Sequence, residues 1–109
     1  MLSYSKNDVI LVRYPFSDLS NSKVRPAVVV SAPHVSQDII ITPLTSKTRM
    51  LLDGEFVLSG WLEAGLNTET AVKRGIYTVH GSLVVKSIGV LVKTDIEQLN
   101  LSLKYWLEF

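Results

Sequence analysis

Runs of β-branched and aliphatic residues, separated by glycine, proline and polar stretches, divide this chain into short segments. Residues 24–32 predict the central strand, where Ala27 and the three valines after it indicate burial on both faces. Similar runs predict strands at 9–14, 38–42 and 55–58. The first half of the chain is therefore expected to consist of β-strands joined by turns.

The second half continues this pattern with more interruptions. Residues 70–79 have the pattern of a strand broken by Gly75, which predicts a bulge or a bend. Residues 83–85 and 88–92 predict the last strand segments. Residues 59–65 predict a single helical turn that ends at its final glycine as a C-terminal cap.

Only the final segment has helical periodicity. Thr94 and Glu97 have the spacing of a capping box, which predicts a helix with Thr94 as its N-cap. The apolar residues that share one face of this helix are Ile96, Leu99, Leu103, Trp106 and Leu107. Leu101 lies off the stripe, on a face available to a partner. Short strands followed by one helix predict a mainly β fold, either a small barrel or a strongly bent sheet, capped by the C-terminal α-helix.

Composition limits the classes of function. A chain of 109 residues suits one domain with one core, so residues 1–109 are expected to form a single domain. Hydrophobic residues make up 47% of the chain and charged residues 19%, which favours a buried self-association surface. The net charge of +1 indicates that any contact with nucleic acid is local rather than spread over a basic surface. The absence of cysteine excludes disulfides and thiol catalysis.

Cofactor, metal and membrane signals are also missing from the sequence. There is no G-x-G-x-x-G, P-loop or H-E-x-x-H motif, and His34 and His80 lack the spacing of metal ligands. We expect no cofactor and no metal, and we interpret both histidines as solvated surface. No apolar run approaches the roughly 18 residues needed to span a bilayer, and the first residues do not resemble a secretion signal. A cytoplasmic location without membrane contact is expected.

The residue that best suggests chemistry is Arg25. Pro26 favours an extended backbone at Arg25, so a permanently charged guanidinium lies at the start of a buried strand. That arrangement suits an anion, phosphate above all, and the alternative is a structural ion pair. If the two central strands pair antiparallel, Thr45 and Ser46 come close to Arg25. Such a site suits attack by an RNA 2′-hydroxyl on its own phosphate, because the nucleophile is already attached to the substrate.

Other charged and aromatic residues have simpler interpretations. The basic clusters 47–49 and 73–74 are, taken alone, solvated turn charge, and the carboxylates are scattered. Trp61 and Trp106 are interpreted as core residues rather than platforms for nucleic-acid bases. Tyr14 and Tyr77 end strands and are compatible with either interpretation.

These segments together resemble a known family. Residues 8–12, 15–19 and 23–31 look like the N-terminal half of the MazF/PemK toxins, and residues 41–46, 61–66 and 88–91 with the final helix are similar to later parts of the same family. The resemblance implies an SH3-like barrel of the CcdB/MazF type that forms a homodimer. It also implies a sequence-specific, metal-independent endoribonuclease toxin of a type II toxin–antitoxin system. Such an enzyme cleaves single-stranded RNA to 2′,3′-cyclic phosphate and 5′-hydroxyl ends, and its protein partner is a small cognate antitoxin.

The resemblance also implies roles for individual residues. The family's arginine corresponds to Arg25, as phosphate binder and candidate acid, and its threonine corresponds to Thr45, a hydrogen-bond donor to the phosphate. The loop over residues 16–23 corresponds to a mobile flap. The implied RNA-binding residues are Phe16, Lys23, Ser46, Lys47 and Lys73.

The chain departs from the family at one position, and this keeps other functions open. Some members carry an aspartate, assigned as a base, shortly after a basic residue, but here Lys73 is followed by Arg74 and Gly75. Either Arg25 and Thr45 suffice, or activity is weak or lost. One alternative is therefore a catalytically inactive RNA-binding homologue. Another is a CcdB-like toxin that binds and poisons a topoisomerase through its C-terminal helix.

Overall fold

The fold is an antiparallel β-sheet followed by one long helix. The computed structural model describes residues 4–14, 23–31 and 35–108. Within these residues lie seven strands, a 3₁₀ turn and an α-helix: β1 (Asp8–Tyr14), β2 (Lys23–Val29), β3 (Asp38–Thr45), β4 (Phe56–Val57), β5 (Ala71–Val72), β6 (Tyr77–His80), the 3₁₀ turn (Gly81–Leu83), β7 (Val84–Val90) and α1 (Lys93–Leu107). In this part of the chain no helix is long and apolar enough to cross a membrane.

The strands form a sheet with the order β4-β5-β3-β2-β1-β7, and β6 pairs with β3 beside this path. Every pairing is antiparallel. The hydrogen-bonded path therefore begins at β4 and ends at β7 rather than closing on itself. The predicted mainly β fold with a C-terminal helix is confirmed, in the form of a bent sheet.

The sheet carries an apolar cluster on each face, which explains why the central strands have almost no polar positions. Ala27, Val28 and Val29 have no exposed surface. Ala27 and Val29 belong to the first cluster, with Ile10, Val12, Ile39, Ile41 and Val79 among others, and Val28 belongs to the second. Trp61 and Trp106 are half-buried and pack against this second cluster, to which Leu99 of α1 also belongs. The interpretation of both tryptophans as core residues is therefore confirmed.

The interruption at Gly75 is a bulge, as the sequence predicts. Leu44 pairs with Val72, and Ile41 pairs with Tyr77, so four residues, 73–76, oppose two residues of β3. The extra length divides the predicted strand into β5 and β6, which lie along the same edge of β3. Lys73 is the first residue of this bulge, and Tyr77 is the first paired residue after it.

The predicted capping box is wrong. The helix begins at Lys93, Val92 is its N-cap, and no side chain caps it. Asp95 instead accepts hydrogen bonds from the backbone N–H of Ser59 and of Gly60, both at 2.9 Å, and from Ser59 Oγ at 2.9 Å. The first turn of α1 therefore uses its carboxylate to hold a distant loop, which local sequence spacing does not reveal.

Candidate functional site

A groove opens where β2 and β3 part. The two strands pair at Ala27–Pro43, Val28–Thr42 and Val29–Ile41. Beyond Pro43, the end of β3 pairs with β5 on its other edge, and the start of β2 pairs with β1. Continuing the β2–β3 register by two residues sets Arg25 opposite Thr45, on the same face as Ala27 and Pro43. The predicted antiparallel pairing of the two central strands is confirmed, and Arg25 and Thr45 line one groove.

The walls of the groove are cationic. Its volume is about 940 Å³. The positively charged residues that line it are Lys23, Arg25, Lys47, Lys73 and Lys86. No carboxylate or histidine is among the described residues of the lining. Positive charge is therefore concentrated in one place on a chain whose net charge is only +1, and the groove suits a polyanion.

The groove also has an apolar part. It is formed by Leu11, Pro26, Leu44, Leu66 and Ile88. Leu44 and Leu66 belong to the second apolar cluster, and Ile88 packs against it. Cations beside apolar side chains suit a ligand that has both charged groups and flat apolar groups.

Arg25 is exposed at the start of β2. Its side chain has no hydrogen bond or ion pair with another described residue. The structural ion pair considered from the sequence is therefore not found within residues 4–14, 23–31 and 35–108. A guanidinium that is always charged and has donors to spare can bind an external anion such as phosphate.

Thr45 is half-buried at the end of β3. Its Oγ1 accepts a hydrogen bond from the backbone N–H of Lys47 at 3.1 Å. Because this bond occupies a lone pair and not the hydroxyl proton, the O–H of Thr45 can donate to a ligand in the groove. Ser46 and Lys47 are exposed and line the groove next to it.

The neighbours Lys73 and Arg74 face different parts of the surface. The backbone N–H of Lys73 donates to the carbonyl of Pro43 at 2.9 Å, and its side chain lines the groove. The backbone N–H of Arg74 donates to Glu55 Oε2 at 2.9 Å, and its side chain lines a second cleft beside Tyr105. In the sequence the two residues form one basic cluster. In the folded structure only Lys73 lines the groove.

The structure brings together every predicted site residue that it describes, namely Lys23, Arg25, Thr45, Ser46, Lys47 and Lys73. Phe16 and the rest of the predicted flap up to residue 22 lie outside the described residues. Sequence reasoning missed Lys86, Asn67 and Thr68, and it left Tyr77 undecided. Lys86 is one exposed cation on an edge strand, and only its position opposite Leu11 brings it to the groove.

The loop that carries Asn67 and Thr68 is held by backbone contacts. Leu66 N–H donates to the carbonyl of Trp61, and Gly65 N–H donates to that of Leu62, both at 3.0 Å. Gly65 has a φ of 92°. This is the hydrogen-bond pattern of a helical turn closed by a left-handed glycine, so the predicted role of Gly65 as a cap is confirmed.

Histidine does not contribute to the described part of the groove. His80 is exposed, and its Nδ1 lies 2.8 Å from Ser82 Oγ. His34 lies outside the described residues. Within those residues, no group of three or more His, Cys, Asp or Glu side chains is placed to hold a metal ion.

Several solved structures share this fold. MazF from Deinococcus radiodurans superposes with a TM-score of 0.80 at 14% identity, covering 100% of both chains. An endoribonuclease in complex with its cognate antitoxin, from a mycobacterial species, has a TM-score of 0.77 at 14% identity and covers 98% of this chain and 97% of the other. The Mycobacterium tuberculosis toxin MazF-mt6 has a TM-score of 0.73 at 18% identity, with 94% of this chain and 97% of the other covered.

The bent sheet with a terminal helix is thus the fold of MazF structures. Residues 5–107 also match the family of PemK-like, MazF-like toxins of type II toxin–antitoxin systems, and the chain belongs to this family. The resemblance inferred from the sequence is confirmed. No curated protein is significantly similar in sequence to this chain.

Proposed function

We propose that this protein is an endoribonuclease toxin that cleaves single-stranded RNA in the groove between β2 and β3, without a metal ion. The observation that carries the proposal is the presence of Arg25 and Thr45 in one groove, which five cations line. Membership of the toxin family and the likeness to endoribonuclease structures support it.

The proposed reaction is an internal transesterification. The 2′-oxygen of one ribose attacks the adjacent phosphorus, loses its proton, and forms a bond to phosphorus while the bond to the 5′-oxygen breaks. The departing 5′-oxygen takes up a proton, so the products are a 2′,3′-cyclic phosphate and a 5′-hydroxyl. The substrate supplies the nucleophile, so the protein has to hold the phosphate and stabilise the charge that builds up on it.

The residues divide this work by their chemistry. The guanidinium of Arg25 binds the phosphate oxygens in a fork and neutralises their growing charge. Thr45 donates its O–H to a non-bridging oxygen, because its Oγ1 already accepts from Lys47. Lys23, Lys47 and Lys73, with Ser46, bind the RNA on either side of the cleaved bond. Phe16 is proposed to contact RNA from the loop before β2.

The described groove offers no carboxylate or imidazole as a general base. In this proposal the rate enhancement therefore comes from positioning the phosphate and stabilising its charge. The protons are transferred by the substrate, the solvent or the cationic side chains. An enzyme of this kind is expected to be slower than one with a dedicated base, by about 100-fold.

The partners follow from the same proposal. MazE–MazF complexes from Deinococcus radiodurans share the fold, with TM-scores of 0.75 and 0.79 at 13% identity. We propose that this toxin acts as a homodimer in the cytoplasm and is neutralised by a small antitoxin that occupies the RNA groove.

The test uses purified protein, a long single-stranded RNA and an excess of chelator. The wild type is expected to cut at defined sites and to leave cyclic-phosphate ends. Arg25→Ala should lower the rate by about 100- to 1000-fold, the loss expected for one transition-state donor. Arg74→Ala is the matched control, because its exposed guanidinium lines the other cleft.

Three results would contradict parts of the proposal. RNA binding by the wild type without cleavage would favour the inactive homologue. Unfolding of Arg25→Ala, seen by circular dichroism, would favour a structural ion pair. Toxicity that survives Arg25→Ala but is lost on changing the last residues of α1 would favour a protein-binding toxin.

A further inference from the structure

Tyr77 is an aromatic residue of the groove to which neither the family match nor the proposed reaction gives a role. It is the first residue of β6 and pairs with Ile41 of β3. Ile41, Pro43 and Thr45 are every second residue of β3 and therefore share one face of the sheet. Tyr77 lies on this face, which also carries Arg25 where β2 and β3 part. Its side chain lines the same groove.

The exposure of Tyr77 differs from that of the residue two places further along the same strand. Val79 pairs with Ile39 and is 3% exposed within the first apolar cluster. Tyr77 continues the same face but is 39% exposed. The apolar core therefore ends between these two positions. The large aromatic side chain of Tyr77 lies just outside the core, at the edge of the groove.

The bulge that precedes β6 brings the backbone of Gly75 against the ring of Tyr77. A Cβ built on Gly75 would lie 2.9 Å from Cε2 of Tyr77, 3.3 Å from its hydroxyl and 3.4 Å from Cδ of Pro43. Tyr77 therefore packs on Gly75, close to the ring of Pro43. This support restricts the ring, and a restricted ring loses little further freedom when a ligand stacks on it.

We propose that Tyr77 is a stacking platform for an unpaired base of the RNA. The inference rests on the proposed function, because it takes single-stranded RNA as the ligand of the groove. Proteins that bind unpaired RNA combine cations for the backbone with aromatic rings for the bases. Here Lys73 begins the bulge, Tyr77 directly follows it, and both line the groove, so a cation for a phosphate and a ring for a base are offered by one short segment.

The role differs from a catalytic one because it needs the ring and not the hydroxyl. Tyr77→Phe keeps the ring, whereas Tyr77→Leu and Tyr77→Ile remove it and retain an apolar side chain at the start of β6. Two ring-free variants are compared so that a folding defect in one of them does not decide the result. Tyr105→Leu is the matched control, because Tyr105 is 60% exposed on α1 and lines the second cleft.

The experiment measures binding of short single-stranded RNAs whose riboses are all 2′-O-methylated, so that none is cleaved. Loss of one base–aromatic stack is expected to weaken binding about 5- to 100-fold. That loss should occur in Tyr77→Leu and Tyr77→Ile, and not in Tyr77→Phe or Tyr105→Leu. A second assay uses a series of RNAs that carry the fluorescent base 2-aminopurine at successive positions. At one position its fluorescence should be quenched on binding to the wild type and to Tyr77→Phe. The ring-free variants should not quench it.

Unchanged affinity and unchanged quenching in folded Tyr77→Leu would overturn the inference and leave the proposed ribonuclease intact. Equal loss of cleavage in Tyr77→Phe and Tyr77→Leu, with RNA binding retained in both, would also overturn it, because the hydroxyl would then be the active group. If the wild type binds none of these RNAs and cleaves no RNA, the proposed function itself fails and the inference fails with it.

Discussion

Gly65 and Gly89 lie back to back, with no side chain between the loop before the groove and strand β7. A Cβ on Gly65 would overlap the carbonyl oxygen of Ile88, and a Cβ on Gly89 would overlap that of Ala64. This close backbone approach sets the position of Asn67 and Thr68, which line the groove directly after the loop turns. The shape of one groove wall thus depends on two residues without side chains.

Gly89→Ala is expected to lower the free energy of unfolding by about 1–3 kcal/mol, because the added methyl group must push the loop away from β7. RNA binding should weaken in parallel, since the displaced loop lines the groove. Urea denaturation and binding to a non-cleavable RNA check both effects. Gly81→Ala is the milder comparison, because its new Cβ would lie 3.2 Å from the carbonyl oxygen of Gln37 and would need a shift of only a few tenths of an ångström. Equal stability of the two variants would contradict the prediction.

Asp95 is expected to be among the most sensitive polar residues for stability. It is 3% exposed and accepts three hydrogen bonds from Ser59 and Gly60. Asp95→Ala leaves two backbone N–H groups without their acceptor and should cost about 2–4 kcal/mol of unfolding free energy. Glu97→Ala, an exposed change on the same helix, should cost less than about 0.5 kcal/mol. Thermal or urea unfolding measures both changes in free energy. A small loss of stability in Asp95→Ala would show that its hydrogen bonds to Ser59 and Gly60 do not hold the loop on α1.

Thr45 should act through its hydroxyl. Thr45→Val keeps the shape of the side chain but removes the donor to the phosphate. The cleavage rate should fall about 10- to 100-fold, the value of one hydrogen bond to a charged group. Thr45→Ser retains the hydroxyl and should restore most of the rate. Single-turnover cleavage assays separate the variants, and a fully active Thr45→Val would remove Thr45 from the site.

Lys73 and Arg74 provide a test of how the fold distributes charge. Lys73→Ala should weaken the binding of RNA of every sequence. A plot of the logarithm of affinity against the logarithm of salt concentration should also become less steep by about 0.7, the value for one contact to single-stranded nucleic acid. Arg74→Ala removes the same charge one residue later, but its side chain lines the other cleft. The salt dependence of Arg74→Ala should match that of the wild type. Equal effects of the two changes would show that net charge, and not position, controls binding.

Much of this picture could be predicted from residue patterns. The apolar runs predicted the central strands because burial on both faces requires them to be apolar throughout. Arg25 and Thr45 were predicted to meet because antiparallel neighbours bring the start of one strand to the end of the next. The bulge at Gly75 was predicted from a glycine within a strand pattern. In each case the signal lies in a few consecutive residues or in one strand pair.

Other features depended on contacts between distant segments. Thr94 and Glu97 have the spacing of a cap, but the neighbouring Asp95 bonds a loop 36 residues earlier in the chain, and the helix begins without a side-chain cap. Lys86 and Tyr77 have no motif around them, and they join the groove only through their pairing with β1 and β3.

Residue patterns were enough to predict the class of fold, the family and the strand ends at which the candidate site lies, because hydrophobic alternation and backbone preferences act over a few residues. The folded structure was needed to show which cations share the groove, that Lys73 and not Arg74 belongs to it, and that Tyr77 lies at its edge. Strand register and bulges determine where each side chain is placed. They are set by pairing over many residues, so they are properties of the folded sheet rather than of any single segment.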